Sequence, residues 1–125
     1  MLRGAGWLVA GAVVLLAQSA LAVSFSSSLK NFYTQFEVVK QCHEQAQLSA
    51  ADAELAKAAI AKIETHYLAR DARINKDALL KAAVANKNEG FRIATRGSKV
   101  DLRQYCRATL KELLDKAEEI DAAKR

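Results

Sequence analysis

Two cysteines, two histidines and a run of cations are the residues of this chain whose chemistry reaches beyond packing. Cys42 and Cys106 are its only thiols, so a single intramolecular pairing is available. Joining them closes a loop of about 65 residues, which the chain-entropy view values at about 4 kcal/mol. Redox pairs of the Cys-x-x-Cys kind and the Cys-x-x-Cys-His of covalent haem are both missing. Cys42 and His43 are adjacent, and His66 is the other histidine. A Cys/His metal site can be sketched from them, but their spacing fits no established zinc pattern and no i, i+4 ligand pair exists. The reading is a structural disulfide Cys42–Cys106, with no metal and no cofactor.

The histidines have a plainer use. On a helical wheel His43 falls between Phe32 and Phe36, and His66 borders Tyr67. Both are therefore expected as hydrogen-bonded residues of an apolar face. No nucleophile, phosphate-binding glycine loop or paired helical metal-ligand motif accompanies them. Catalysis is not expected.

The cations are less easily absorbed. Arg92, Arg96, Lys99, Arg103 and Arg107 face only Asp101 over the same stretch. Arg92 and Arg96 suit a helix C-terminus, whereas Lys99 and Arg103 would open the next helix, where the macrodipole disfavours them. That mismatch is worth about 0.3–1 kcal/mol. It points to an anion-facing patch, set against the plainer reading of solvated or internally paired surface. Nucleic acid is not the expected partner, since no reader motif accompanies the charge. An unknown protein or an anionic envelope component fits better.

A further group is aromatic. Phe25, Phe32, Tyr33 and Phe36 cluster early, with Tyr67 and Phe91 further on. They supply core volume in a chain poor in large side chains. Phe25, Phe32, Phe36, Tyr67 and Phe91 could alternatively form an apolar contact or line a cavity.

The elements that must position these residues follow from composition. The chain has 125 residues, 51% hydrophobic and 26% charged, with 19 Lys+Arg, 14 Asp+Glu, five glycines and no proline. The absence of proline excludes polyproline ligands and cis-proline turns. Arg3 followed by the uncharged run Gly4–Ala17, then Ala20-Leu21-Ala22, reads as a signal peptide over 1–22 cut between Ala22 and Val23. The run is short of the ~17–25 apolar residues that span a bilayer, so the cleaved protein is not expected to be integral to a membrane. Export, to the periplasm or as a secreted protein, is the expected localisation. Removing that segment takes three of the five glycines and leaves an alanine-rich body, which favours helix throughout.

The body, 23–125, reads as one all-α domain: a small four-helix antiparallel bundle. Apolar spacing places helices at about 28–46, 49–69, 75–96 and 99–120. Ser27 or Ser28 is the candidate cap of the first, and Ser49 with Asp52 makes a capping box for the second. Asn75 caps the third, whose weak point is Asn86–Gly90, and Gly97-Ser98 punctuates the start of the fourth. The functional expectation is a non-catalytic binding or accessory module held by one disulfide. A small hydrophobic-ligand carrier is the alternative, and a metal or redox protein using His43 and His66 a further one.

Overall fold

The computed structural model describes residues 25–95 and 101–124, with side chains for all of these except 90 and 93–95. Segment 1–22, its junction Ala22–Val23, and Arg96, Gly97, Ser98 and Lys99 lie outside the described residues. Four helices account for 87% of what is described, and no strand occurs among these residues. They are α1 (25–44), α2 (Ala50–Arg70), α3 (Lys76–Thr95) and α4 (Leu102–Ala123). The all-α bundle expected from alanine content and apolar spacing is the fold.

Cross-helix pairs fix the directions. Cys42 meets Cys106, and Gln35 Nε2 donates to Glu112 Oε2 at 2.5 Å, so α4 descends as α1 ascends. Tyr33 reaches Glu64 and Phe25 reaches Tyr67, which sets α2 antiparallel to α1 as well. Hence α2 and α4 run the same way, side by side, each against α1. Among α2, α3 and α4, the seam between α2 and α4 is the most extensive, and α3 meets α4 more sparsely. The core is built from Leu29, Tyr33, Val39 and Cys42 of α1, Ala56 and Ile63 of α2, and Cys106 and Leu113 of α4. From α3 it draws Ala83 and Phe91. α3 is the outrigger of a three-helix core.

Local signals explain most boundaries. Ser49 Oγ accepts from the Asp52 amide at 3.1 Å while Asp52 Oδ2 accepts from the Ser49 amide at 3.2 Å, the expected capping box. A cap of this type is worth about 1 kcal/mol. Asn75 Oδ1 accepts from the Ala78 amide and opens α3. α3 then runs unbroken through Asn86–Gly90. Glu89 and Arg92 pair across one turn there, giving i, i+3 support where intrinsic propensity is poorest.

Three boundaries differ from expectation. α1 is already helical at 25, so Ser27 and Ser28 lie within its first turns and do not cap it. Phe25 packs against Tyr67 at 6.1 Å, and burying an aromatic ring outweighs the few tenths of a kcal/mol that each serine costs a helix. The helix also ends earlier than 46. Gln47 N–H donates to Cys42 O and Ala46 N–H to His43 O, the paired bonds of a Schellman ending. Ala46 occupies its left-handed position at φ 60°, where glycine is usual and a Cβ costs about 1–2 kcal/mol. The fourth helix begins at Leu102, not 99, because Asp101 is its N-cap and accepts from the Arg103 amide.

Candidate functional site

The Schellman ending turns the chain sharply between α1 and α2, close to the disulfide. Cys42 and Cys106 are bonded with their Cα atoms 5.9 Å apart, and both are fully buried. Everything within a turn of them in sequence is thereby drawn to one end of the bundle. There a cleft of about 440 Å³ opens, lined by His43, Ala46–Ala50, Arg103 and Arg107. One wall is the α1–α2 turn and the first residue of α2. The other is the first two turns of α4.

The arginines decide the cleft's character. Arg103 and Arg107 are one helical turn apart, exposed on α4, and line the same space. Among the described residues neither has an ion-pair partner. Several other cations are committed, Lys111 to Asp115, Lys116 to Glu119, Lys62 to Asp121 and Lys76 to Glu64, while Lys30, Lys57, Lys81, Lys87 and Lys124 form no ion pair among the described residues and line no part of the cleft. Arg92 is committed too, with Nη2 2.5 Å and Nε 3.2 Å from the Glu89 carboxylate. That carboxylate raises the Arg92 pKa, and the guanidinium lowers that of Glu89. The basic stretch is thus divided. Arg92 is paired within α3, Arg103 and Arg107 face the cleft, and Arg96 and Lys99 lie outside the described residues.

His43 is not a core residue. It is exposed, and its Nδ1 donates to the Leu48 carbonyl at 3.2 Å, which leaves Nε2 as its available nitrogen. A single wheel fails here because the buried side of α1 swings along its length. Leu29 and Tyr33 lead it, then Val38, Val39 and Cys42 take over where α1 turns onto α4. His66 sits near the far end of α2, edge-on to Tyr67 at 5.1 Å. Burial, then the neighbouring charges of Arg70, Lys116 and Lys124, lower its pKa. Sixteen residues of helix, about 24 Å at 1.5 Å each, separate His66 from the cleft wall at Ala50. The two histidines share no site, and no cluster of three metal-binding side chains occurs among the described residues.

The aromatic residues divide as well. Phe25 and Phe32 pack on Tyr67, at 6.1 and 6.2 Å. Lys116 Nζ lies over both Phe32 and Tyr67, and Lys40 Nζ over Phe36 at 5.3 Å. Phe91 belongs elsewhere, edge-on to Tyr105. The ring faces are therefore occupied by one another and by lysine. Tyr33, at the core's centre, donates its hydroxyl to Glu64 Oε2 at 2.8 Å. Burial and that carboxylate hold the phenol well above its ordinary pKa, so it remains a donor.

No family model, curated protein or solved structure matches the chain.

The residues that sequence reasoning passed over are Ala46, Gln47, Leu48, Ser49 and Ala50. A signal for them existed. They follow Cys42 closely, and Arg103 and Arg107 flank Cys106, so the expected disulfide already implied that the two segments meet.

Proposed function

We propose that the chain is a small exported helical module that acts by binding, without catalysis, through the basic cleft at its disulfide end. One observation carries this reading. Arg103 and Arg107 line one open cleft with no ion-pair partner among the described residues, whereas the other cations that form no ion pair there, Lys30, Lys57, Arg70, Lys81, Lys87 and Lys124, lie outside it. Two guanidiniums left facing solvent in a concavity attract anions, because clefts of one charge sign focus the field. The partner is an acidic protein or an anionic envelope component.

Export is supported by the 1–22 segment with its small-x-small end at Ala22, cut before Val23. A disulfide accords with an oxidising compartment. No described helix is long and apolar enough to cross a membrane.

Retention on immobilised dextran sulfate tests the contact. The double variant Arg103→Gln/Arg107→Gln should bind at least about tenfold more weakly, the loss of one strong charge-assisted hydrogen bond or more. Lys57→Gln/Lys81→Gln removes the same charge from exposed positions on α2 and α3 and should change affinity by less than about twofold. Equal weakening in the two variants would reduce the effect to net charge and reject the cleft.

A further inference from the structure

We infer that the cleft takes a phosphate group carried on a small organic body. This rests on the reading of the cleft as the contact surface and names the ligand's chemistry. The first argument is the number of donors. A carboxylate presents two coplanar oxygens, which one guanidinium satisfies with its fork. Here two forks, from Arg103 and Arg107, share one helical face at i, i+4 spacing. A phosphate monoester offers three tetrahedral oxygens and about −1.5 to −2 of charge, and so occupies both. Neither arginine is engaged in an ion pair among the described residues that would compete for it.

The second argument is size. The cleft is broad and largely open to solvent, with a volume of about 440 Å³, within the ~300–1,000 Å³ of small-ligand sites. A water molecule's share of liquid volume is about 30 Å³, so a bare ion of a few oxygens leaves most of this space empty. The remaining wall has mixed character suited to a short organic stem. Ala46, Leu48 and Ala50 are apolar, while Gln47 and Ser49 add polar atoms. The third argument is order. The turn that forms this wall is pinned by the Schellman bonds, by His43 on the Leu48 carbonyl, and by the buried disulfide next to His43. A wall fixed before binding lowers the ordering cost of taking a small ligand.

Two sources present this chemistry, a soluble phosphorylated metabolite and an anionic phospholipid headgroup. Titration of the disulfide-bonded chain, followed by amide and arginine Nε resonances, distinguishes them. Glycerol 3-phosphate represents the soluble source, and vesicles of phosphatidylcholine with phosphatidic acid represent the headgroup. Glycerate is the carboxylate control. Saturable shifts at Gln47–Ala50 and at both arginines are expected with at least one phosphate source, about tenfold tighter than with glycerate. Arg103→Gln/Arg107→Gln should abolish them. Response to vesicles alone assigns the headgroup, and response to glycerol 3-phosphate assigns the soluble source. Equal affinity for glycerate, or no saturable response to either phosphate source, overturns the inference. If dextran sulfate retention still depends on the two arginines, only the phosphate assignment falls. If that dependence is also absent, the binding reading falls with it.

Discussion

Replacing Cys42 and Cys106 together by alanine is expected to lower stability by about 4 kcal/mol, the largest single effect in this molecule. The loop they close spans a sequence separation of 64, and cross-linking a loop of that length removes a correspondingly large entropy from the unfolded chain. Both residues are fully buried, so their replacement also leaves a small void where α1 meets α4. In a domain of this size each kcal/mol moves the melting temperature by about 4–8 °C, so the melt should fall by roughly 15–30 °C. Urea unfolding of the oxidised protein and the Cys42→Ala/Cys106→Ala variant measures it. A loss below about 1 kcal/mol would mean that helix packing alone holds this end, and the staple would be redundant. The same variant should loosen the cleft, whose walls flank the two sulfurs.

The second large effect is expected at Leu113. It lies on α4 at 0% exposure, between Leu110 and Ala117 on the stripe that faces the core. Leu113→Ala removes buried methyl groups and leaves a cavity, which costs about 3 kcal/mol where the surroundings relax only partly. Leu55 provides the internal comparison: it is 53% exposed on α2, and Leu55→Ala should stay within about 0.5 kcal/mol. Chemical denaturation of the two variants side by side decides the matter. Similar losses would contradict the placement of Leu113 in the buried core.

How much of this was legible in the sequence depends on the element. α2 was fully legible, because its capping box and its stripe Ala56, Ala59, Ile60, Ile63 and Tyr67 agree at every level. The disulfide was legible because only one pairing existed. The end of α1 was not. Its Schellman turn uses Ala46 where glycine is the recognisable signal, and no local pattern marks an alanine at positive φ. The start of α1 was hidden for a different reason. Ser27 or Ser28 read as the cap, but Phe25 finds Tyr67 from a segment remote in sequence, and tertiary burial overrode that local signal.

The site was half legible. Arg103 and Arg107 stood out by charge, and Arg103, with Lys99, by the macrodipole mismatch at the start of the fourth helix. Their separation from Arg92 did not follow from composition, because the Glu89 pairing is a matter of helical phase along α3. His43 was misplaced by a wheel that assumes one buried face, while α1 turns its buried side from α2 toward α4 along its length. The aromatic stripe packs largely within the core, as its spacing suggested. Lys40 and Lys116 lie over its half-buried rings Phe36 and Phe32, and cations over aromatic faces announce themselves only in three dimensions.

On the proposed function, the concavity itself, and not positive charge in general, is the binding surface. Ala50→Phe tests it most directly, since it fills the cleft wall at the first residue of α2 without altering charge. The Ser49–Asp52 capping box remains available to hold the helix start. Calorimetric titration of this variant with dextran sulfate is expected to show affinity at least about tenfold below that of the unaltered chain, with the melting temperature nearly unchanged. Undiminished affinity in a folded Ala50→Phe protein would contradict the claim and return the arginines to ordinary solvated surface.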